Sequence, residues 1–258
     1  MKKYLLLITL SIIFASCSDD TGSPTDVVDD DKDTVTSNYY EKFFAYYPFD
    51  GNAVDSSDGE YNGVVNGAIY SFDRYGNGNS AIYFDGASHV SLPYAGMLDF
   101  DDDFAVAFWA KVGEQQNSTN AGHLDLIGNA VWFEGGWFVG VNTFEQWQTM
   151  TWLREGVGER IAYDKETYFD NEWHHIVYNF DRLNEQNTTI KLYIDGVEKM
   201  AKSTNTPSHE NYEPNIGARV DLTSYFTGTI DNLVFHDKLI TEADMDTLMG
   251  KHIAIGSN

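Results

Sequence analysis

TIKLYIDGVEKM, residues 189–200, decides the fold class. Ile190, Leu192 and Ile194 recur at every second position, which places all three on one face of an extended chain. Asp195-Gly196 follows directly, and Asp-Gly is the dipeptide that a tight two-residue hairpin favours, because both central positions need positive φ. The stretch therefore reads as a β-hairpin that turns at 195–196 into VEKM.

The same period governs FAVAFWAKV (104–112). Phe104, Val106, Phe108, Ala110 and Val112 form the core face, and Ala105, Ala107, Trp109 and Lys111 form the other. That second face is only weakly polar, so it too is expected to be partly covered. Further strands are expected at FFAYYPF (43–49), AIYF (81–84), HVSL (89–92), HLDLIG (123–128), WFVGV (137–141), WQTMTWL (147–153), WHHIVYNF (173–180) and FTGTIDNLVF (226–235). Each is rich in aromatic and β-branched residues and bounded by Gly, Asn, Asp or Pro. TEADMDTLM (241–249) alone reads as helix, with Thr241 as cap and Asp244 three residues on. The economical fold is an all-β jelly-roll sandwich of two antiparallel sheets over residues 39–252, with one short C-terminal helix.

The N-terminal residues follow other rules. Lys2-Lys3, the apolar run LLLITLSIIFA and Ser16 make residues 1–16 a lipoprotein signal peptide, too short in its apolar run to span a membrane comfortably. Cys17 is the one cysteine in the chain, so no intramolecular disulfide is available. Phe14-Ala15-Ser16-Cys17 resembles a bacterial lipobox, departing from it at Phe14, and makes Cys17 the lipidation site. An ordinary signal peptide with a chance cysteine is the alternative. Residues 17–38 are polar, rich in Asp and without periodicity, as expected of a disordered, self-repelling tether. This arrangement resembles surface lipoproteins and implies an outer-membrane, lipid-anchored protein at the cell surface of a Gram-negative bacterium. The net charge is −24, and about −20 remains without the first 36 residues. Such a body repels the nucleic-acid backbone and suits neutral sugars, cations or basic partners.

In order along the chain stand AYYPFDGNAVDSS, SAIYFDGASHVSLP, FAVAFWAKV, EWHHIVYNFD, IKLYIDGVE, NIGA and FTGTIDNLVFHDKLIT. This succession resembles the laminin-G-like, concanavalin A-like jelly-roll domains of secreted bacterial proteins, from about residue 43 to 249. The resemblance implies two antiparallel sheets with a concave face, often a bound calcium ion, and often glycan or protein binding. Residues 113–160 depart most from the usual pattern.

Glycoside hydrolases of related fold carry ExDxxE on one strand, which alternation aims into a cleft. The sequence has no ExDxxE, GxSxG, HExxH or phosphate-binding glycine loop, so no catalytic residue is expected. His174 and His175 are adjacent on a strand and point to opposite faces, so a framework role fits them better than chelation. Trp132, Trp137, Trp147 and Trp152 crowd one segment, with Asn142, Gln146, Gln148 and Arg154 nearby. Flat aromatics can dock the CH faces of sugars, so the four are ligand-binding candidates, although strand aromatics usually pack the sheet. In YYPFDGNAVDSSDGEYNG (46–63), Asp50, Asn52 and Asp55 offer oxygens within six residues. The resemblance places a structural Ca2+ at this loop, completed by Asp231 of the last strand. An ordinary Asx turn is the alternative. The function expected is a non-catalytic carbohydrate-binding surface lipoprotein, with a glycan or polysaccharide as partner and the membrane touched through the lipid alone. A protein-binding or adhesion module within a surface complex is the alternative, and a divergent glycoside hydrolase or polysaccharide lyase a further one.

Overall fold

The computed structural model describes residues 37–250, apart from 114–122, 131–135, 143–148, 155–158, 163–167, 169, 207–208 and 210. The signal peptide, Cys17 and most of the tether lie outside the described residues. A 3₁₀ turn, Ser37–Lys42, opens the domain. Strands follow as β1 (Ala45–Tyr47), β2 (Val64–Asn66), β3 (Ile69–Ser71), β4 (Ala81–Asp85), β5 (His89–Ser91), β6 (Phe104–Lys111), β7 (His123–Gly128) and β8 (Trp137–Asn142). Then come β9 (Thr149–Arg154), β10 (Glu159–Ala162), β11 (Trp173–Arg182), β12 (Asn187–Ile194), β13 (Val197–Asn205), β14 (Asn215–Ile216) and β15 (Thr227–His236). The helix α1 (Glu242–Leu248) closes the domain.

The hairpin at 195–196 forms as its residues dictate. Asp195 and Gly196 have φ of 53° and 76°, and Ile194 faces Val197 across the turn. Ile190, Leu192 and Ile194 are buried while their neighbours alternate outward. A one-residue slip would turn all three to solvent, so burial fixes the register. The fifteen strands make two antiparallel sheets. One runs β13-β12-β11-β6-β15-β4-β3, with β1 also on β15, and the other β10-β9-β8-β7-β14-β5-β2. Along one edge of β15 the neighbour changes. Thr227–Ile230 pair with β4, whereas Leu233–Phe235 pair with β1. Asp231 and Asn232 lie at the break, where the register also shifts against β6 and Asn232 takes a φ of 49°.

The core lies between the sheets. Phe108, Tyr178, Phe180 and Phe235 from one sheet meet Leu126, Trp137, Val139 and Ile216 from the other, all buried. The outer face of β6 is covered as expected: Ala105, Ala107, Val177 and Val234 pack under Phe43, Tyr46, Ile240, Met245 and Leu248. Small Ala side chains there let the helix approach the sheet closely. The helix is held by a capping box. Thr241 Oγ1 accepts from Asp244 N at 3.2 Å, and Asp244 Oδ2 accepts from Thr241 N at 3.2 Å. Tyr39 and Lys42 of the 3₁₀ turn donate to the Asp244 carboxylate as well, tying both ends of the domain together.

Candidate functional site

The acidic loop after β1 resolves into separate, already partnered groups. Asp55 is buried, and its Oδ1 accepts from the amides of Tyr46 and Ser57, each at 2.9 Å. Its Oδ2 accepts from Tyr61 N at 3.0 Å. One carboxylate therefore satisfies two loop amides and one of β1, and staples the loop to that strand. Asn52 makes an Asx turn, its Oδ1 accepting from Val54 N at 2.9 Å, and its Nδ2 donates to Asp50 O at 3.1 Å. Asp50 is exposed. Gly63 serves close packing, since a Cβ there would stand 2.6 Å from Val90 Cγ1.

Asp231 has a partner that no local pattern announces. Arg74, from the turn between β3 and β4, donates Nη1 to Asp231 Oδ2 at 2.8 Å, and both side chains are nearly fully buried. Burial pushes the Asp231 carboxyl up to about 7; Arg74 draws it down, and Asp73 and Asp50 push it up again. The guanidinium also lies over Tyr75 and Trp109, with its carbon 4.3 and 4.8 Å from the two ring centres. As placed, Asp50, Asn52, Asp55 and Asp231 do not fit a calcium shell. Asp55 is filled by amides, Asn52 turns on its own backbone, and Asp231 faces a guanidinium. Among the described residues no group of three or more His, Cys, Asp or Glu is arranged to hold a metal ion.

His174 and His175 fall on opposite faces of β11. His174 Nδ1 is 2.8 Å from Asp195 Oδ2, a contact that raises the imidazole pKa. His175 is buried, its ring 5.3 Å from that of Trp109. Both are framework residues.

Of the four tryptophans, Trp132 and Trp147 lie outside the described residues, and Trp152 lies on β9 with its side chain outside them. Trp137 is 2% exposed and belongs to the core. Its Nε1 donates to Leu98 O at 3.0 Å. It offers no open face, but it does form the base of a surface cleft.

That cleft, a shallow surface depression, lies where β6, β8, β11 and β12 converge with the segment 98–102. Phe104 stacks on Phe180 with ring centres 4.1 Å apart, and Phe100 stacks on Phe104 at 4.7 Å. Trp137 tilts against Phe104 and Phe180 at 5.2 and 5.3 Å. The rim is polar: Asp99, Asp102, Arg182, Thr188, Thr206 and His209. Asp99 accepts from Asn129 Nδ2 at 2.7 Å, and the hydroxyls of Thr188 and Thr206 meet at 3.0 Å. Arg182 donates to the carbonyls of Phe100 and Asp101, which holds the segment above β6 in place.

Two antiparallel sheets with this strand succession invite comparison with known proteins. The sequence profile of the concanavalin A-like lectin/glucanases superfamily matches residues 84–245, more than half the chain. The chain belongs to that superfamily. No curated protein matches it. Among solved structures it is similar to domain 4 of AbnA, a GH43 extracellular arabinanase from Geobacillus stearothermophilus, in complex with arabinotriose. Identity is 20%, the TM-score is 0.60, and the match covers 80% of this chain and 98% of that one. It is also similar to the receptor-binding domain of botulinum neurotoxin mosaic serotype C/D (15% identity, TM-score 0.57, 82% of this chain and 51% of that one). The binding domain of Paraclostridial Mosquitocidal Protein 1 gives 17% identity and a TM-score of 0.53, covering 82% of this chain and 52% of that one. The chain thus spans about half the length of these two toxin domains.

A lectin/glucanase fold can host hydrolysis or binding, and the site decides between them. Of the acids beside this cleft, two are already hydrogen-bonded within the fold. Asp99 is engaged by Asn129, Asp103 accepts from Arg182 N at 2.8 Å, and Asp101 and Asp102 are exposed. Phe104, Trp137 and Phe180 are buried and seal the floor, so the groups that a ligand could meet there are the hydroxyl, imidazole, guanidinium and carboxylate groups of the lining.

Proposed function

We propose that the protein is a non-catalytic carbohydrate-binding domain whose ligand sits in the cleft over Phe104, Trp137 and Phe180. The single observation that carries this reading is the cleft's composition: stacked aromatic rings below, Thr188, Thr206, His209 and Asp102 around the mouth. Membership in the lectin/glucanase superfamily and similarity to a domain solved with arabinotriose support it. The net charge of −24 favours neutral glycans over acidic ones. A screen of immobilised glycans is expected to give a defined set of neutral ligands, and prolonged incubation with them should release no new reducing ends. A blank screen would favour a protein-binding module, and new reducing ends would make the protein a hydrolase.

We further propose attachment at the cell surface through Cys17, which the apolar run before it and the Asp-rich segment after it support. Cys17→Ser is expected to move the protein from the membrane fraction to the soluble fraction. Retention of that variant in the membrane would contradict the anchor.

A further inference from the structure

His174 stands between two carboxylates. Its Nδ1 is 2.8 Å from Asp195 Oδ2, and its Nε2 is 3.3 Å from Asp170 Oδ1. The carboxylates come from separate turns. Asp195 opens the β12–β13 hairpin turn, and Asp170 lies in the bend that leads into β11. Each turn is also held by the backbone. Asp195 Oδ1 accepts from His175 N at 2.9 Å, and Asp195 N donates to His175 O at 2.8 Å. Asp170 Oδ1 accepts from Glu172 N at 3.0 Å, and Asn171 N donates to Val112 O at 3.0 Å. The imidazole joins one turn to the other. It faces Ala110 of β6 and is an even number of steps from Ile176, Tyr178 and Phe180, so it lies on the core side of its sheet. Six residues of β11 separate it from Phe180, roughly 20 Å, which puts it at the far end of the core from the cleft. There the Tyr168 ring packs against the core and meets the imidazole edge-on, with ring centres 5.0 Å apart.

An ionised carboxylate only accepts hydrogen bonds. A neutral imidazole carries one N–H and can serve one of these two carboxylates, while its other nitrogen turns a lone pair toward an anion. The imidazolium carries two N–H groups and serves both. We propose that His174 is a pH-operated clasp: protonated, it ties the bend before β11 to the β12–β13 turn over this end of the core, and on losing its proton it releases one of them. The groups facing the ring are Asp170, Asp195 and Tyr168; Lys199 of β13 lies over the Tyr168 ring at 5.7 Å, and β6 presents Ala110. The hydrogen bond with Asp195 raises the imidazole above its ordinary 6.5; partial burial opposes the rise and Asp170 adds to it. Burial pushes the carboxyls of Asp170 and Asp195 up, but His174 and backbone amides outweigh it and hold both below their usual range. The clasp is therefore complete from above the carboxylate range to about pH 6.5, and its contribution is lost as pH rises through the raised imidazole value. Both carboxylates are about half exposed, so solvent screens the pair and the effect is local to the two turns.

The test is NMR on the full chain, following the His174 ring titration and the hydrogen exchange of the Asn171 amide from about pH 5.5 to about pH 8.5. The wild type should show a His174 midpoint above 6.5. Protection of the Asn171 amide, corrected for the intrinsic pH dependence of exchange, should fall severalfold as pH passes that midpoint. His174→Gln should show no such fall. Asp170→Asn and Asp195→Asn keep turn-forming side chains at both positions and remove one charge each, so each should bring the midpoint down. A wild-type midpoint at or below 6.5 would overturn the clasp. So would protection at Asn171 that falls as much in His174→Gln as in the wild type.

Discussion

Arg74→Met is expected to lower the unfolding free energy by about 3–5 kcal/mol, the usual consequence of removing one member of a buried ion pair. The cause is not the lost attraction alone. Asp231 is 2% exposed, and without the guanidinium its charge would be stranded at the break in β15. The loss should carry a pH signature. In the variant the carboxyl rises still further, so at low pH it is protonated in the folded state and costs little. Up to about pH 7 both proteins lose stability alike, because the folded carboxyl of each is protonated while the unfolded one is ionised; above that only the wild type can ionise it beside Arg74, so the deficit should open near pH 7 and grow as pH rises further. Arg74→Met combined with Asp231→Leu replaces the pair by apolar groups and should recover most of the stability. Because Arg74 already supplies the cation at Asp231, melts of the wild type with calcium, magnesium or EDTA should coincide. A calcium-dependent rise in the melting temperature would show that a metal displaces Arg74 and that the loop is a calcium site after all.

Trp137→Ala is expected to cost about 3–5 kcal/mol by denaturant unfolding, in the range for truncating a buried aromatic. The residue is 2% exposed, touches Phe104 and Phe180, and satisfies the Leu98 carbonyl. Its removal leaves a cavity at the base of the cleft and an unpaired carbonyl above it. Trp137→Phe keeps most of the apolar volume and forfeits the hydrogen bond, so it should cost about 1–3 kcal/mol. Near-wild-type stability of Trp137→Ala would mean that the ring is not part of the core.

The long strands were legible because their chemistry is local. β12 alternates in burial residue by residue, β6, β11 and β15 are long runs rich in aromatic and β-branched residues that end up buried on both faces, and the Asp195-Gly196 turn carries its own backbone preference. The helix was legible through Thr241 and Asp244. β2, β3, β10 and β14 were not: each has four residues or fewer, and β2 and β3 are largely exposed. Their extended shape comes from pairing with β5, β4, β9 and β7, which no single segment announces. The site was harder still. Phe104, Trp137 and Phe180 each read as ordinary core residues, and they become a cleft base because three strands end together. The three backbone amides that Asp55 accepts from are brought to it by the fold and leave no mark in the residue pattern, which shows only a carboxylate in a glycine-rich loop. Arg74 was missed because its partner lies 157 residues away. A lone Arg between Asp73 and Tyr75, in a chain with only 16 basic residues, is the one hint the sequence offered.

The central claim is that the cleft over Phe104, Trp137 and Phe180 binds a neutral glycan. The most direct test titrates a screened oligosaccharide into the wild type and into a rim variant, Thr206→Val with His209→Ala. Both positions line the mouth and neither belongs to the apolar core. The rim variant should keep the wild-type melting temperature within about 4 °C, about 1–2 kcal/mol for a domain of this size, the cost of taking the Thr206 hydroxyl from Thr188 and Asn184. It should lose the cleft site or bind there at least tenfold more weakly, about 1.4 kcal/mol. A rim variant that titrates like the wild type would contradict the claim.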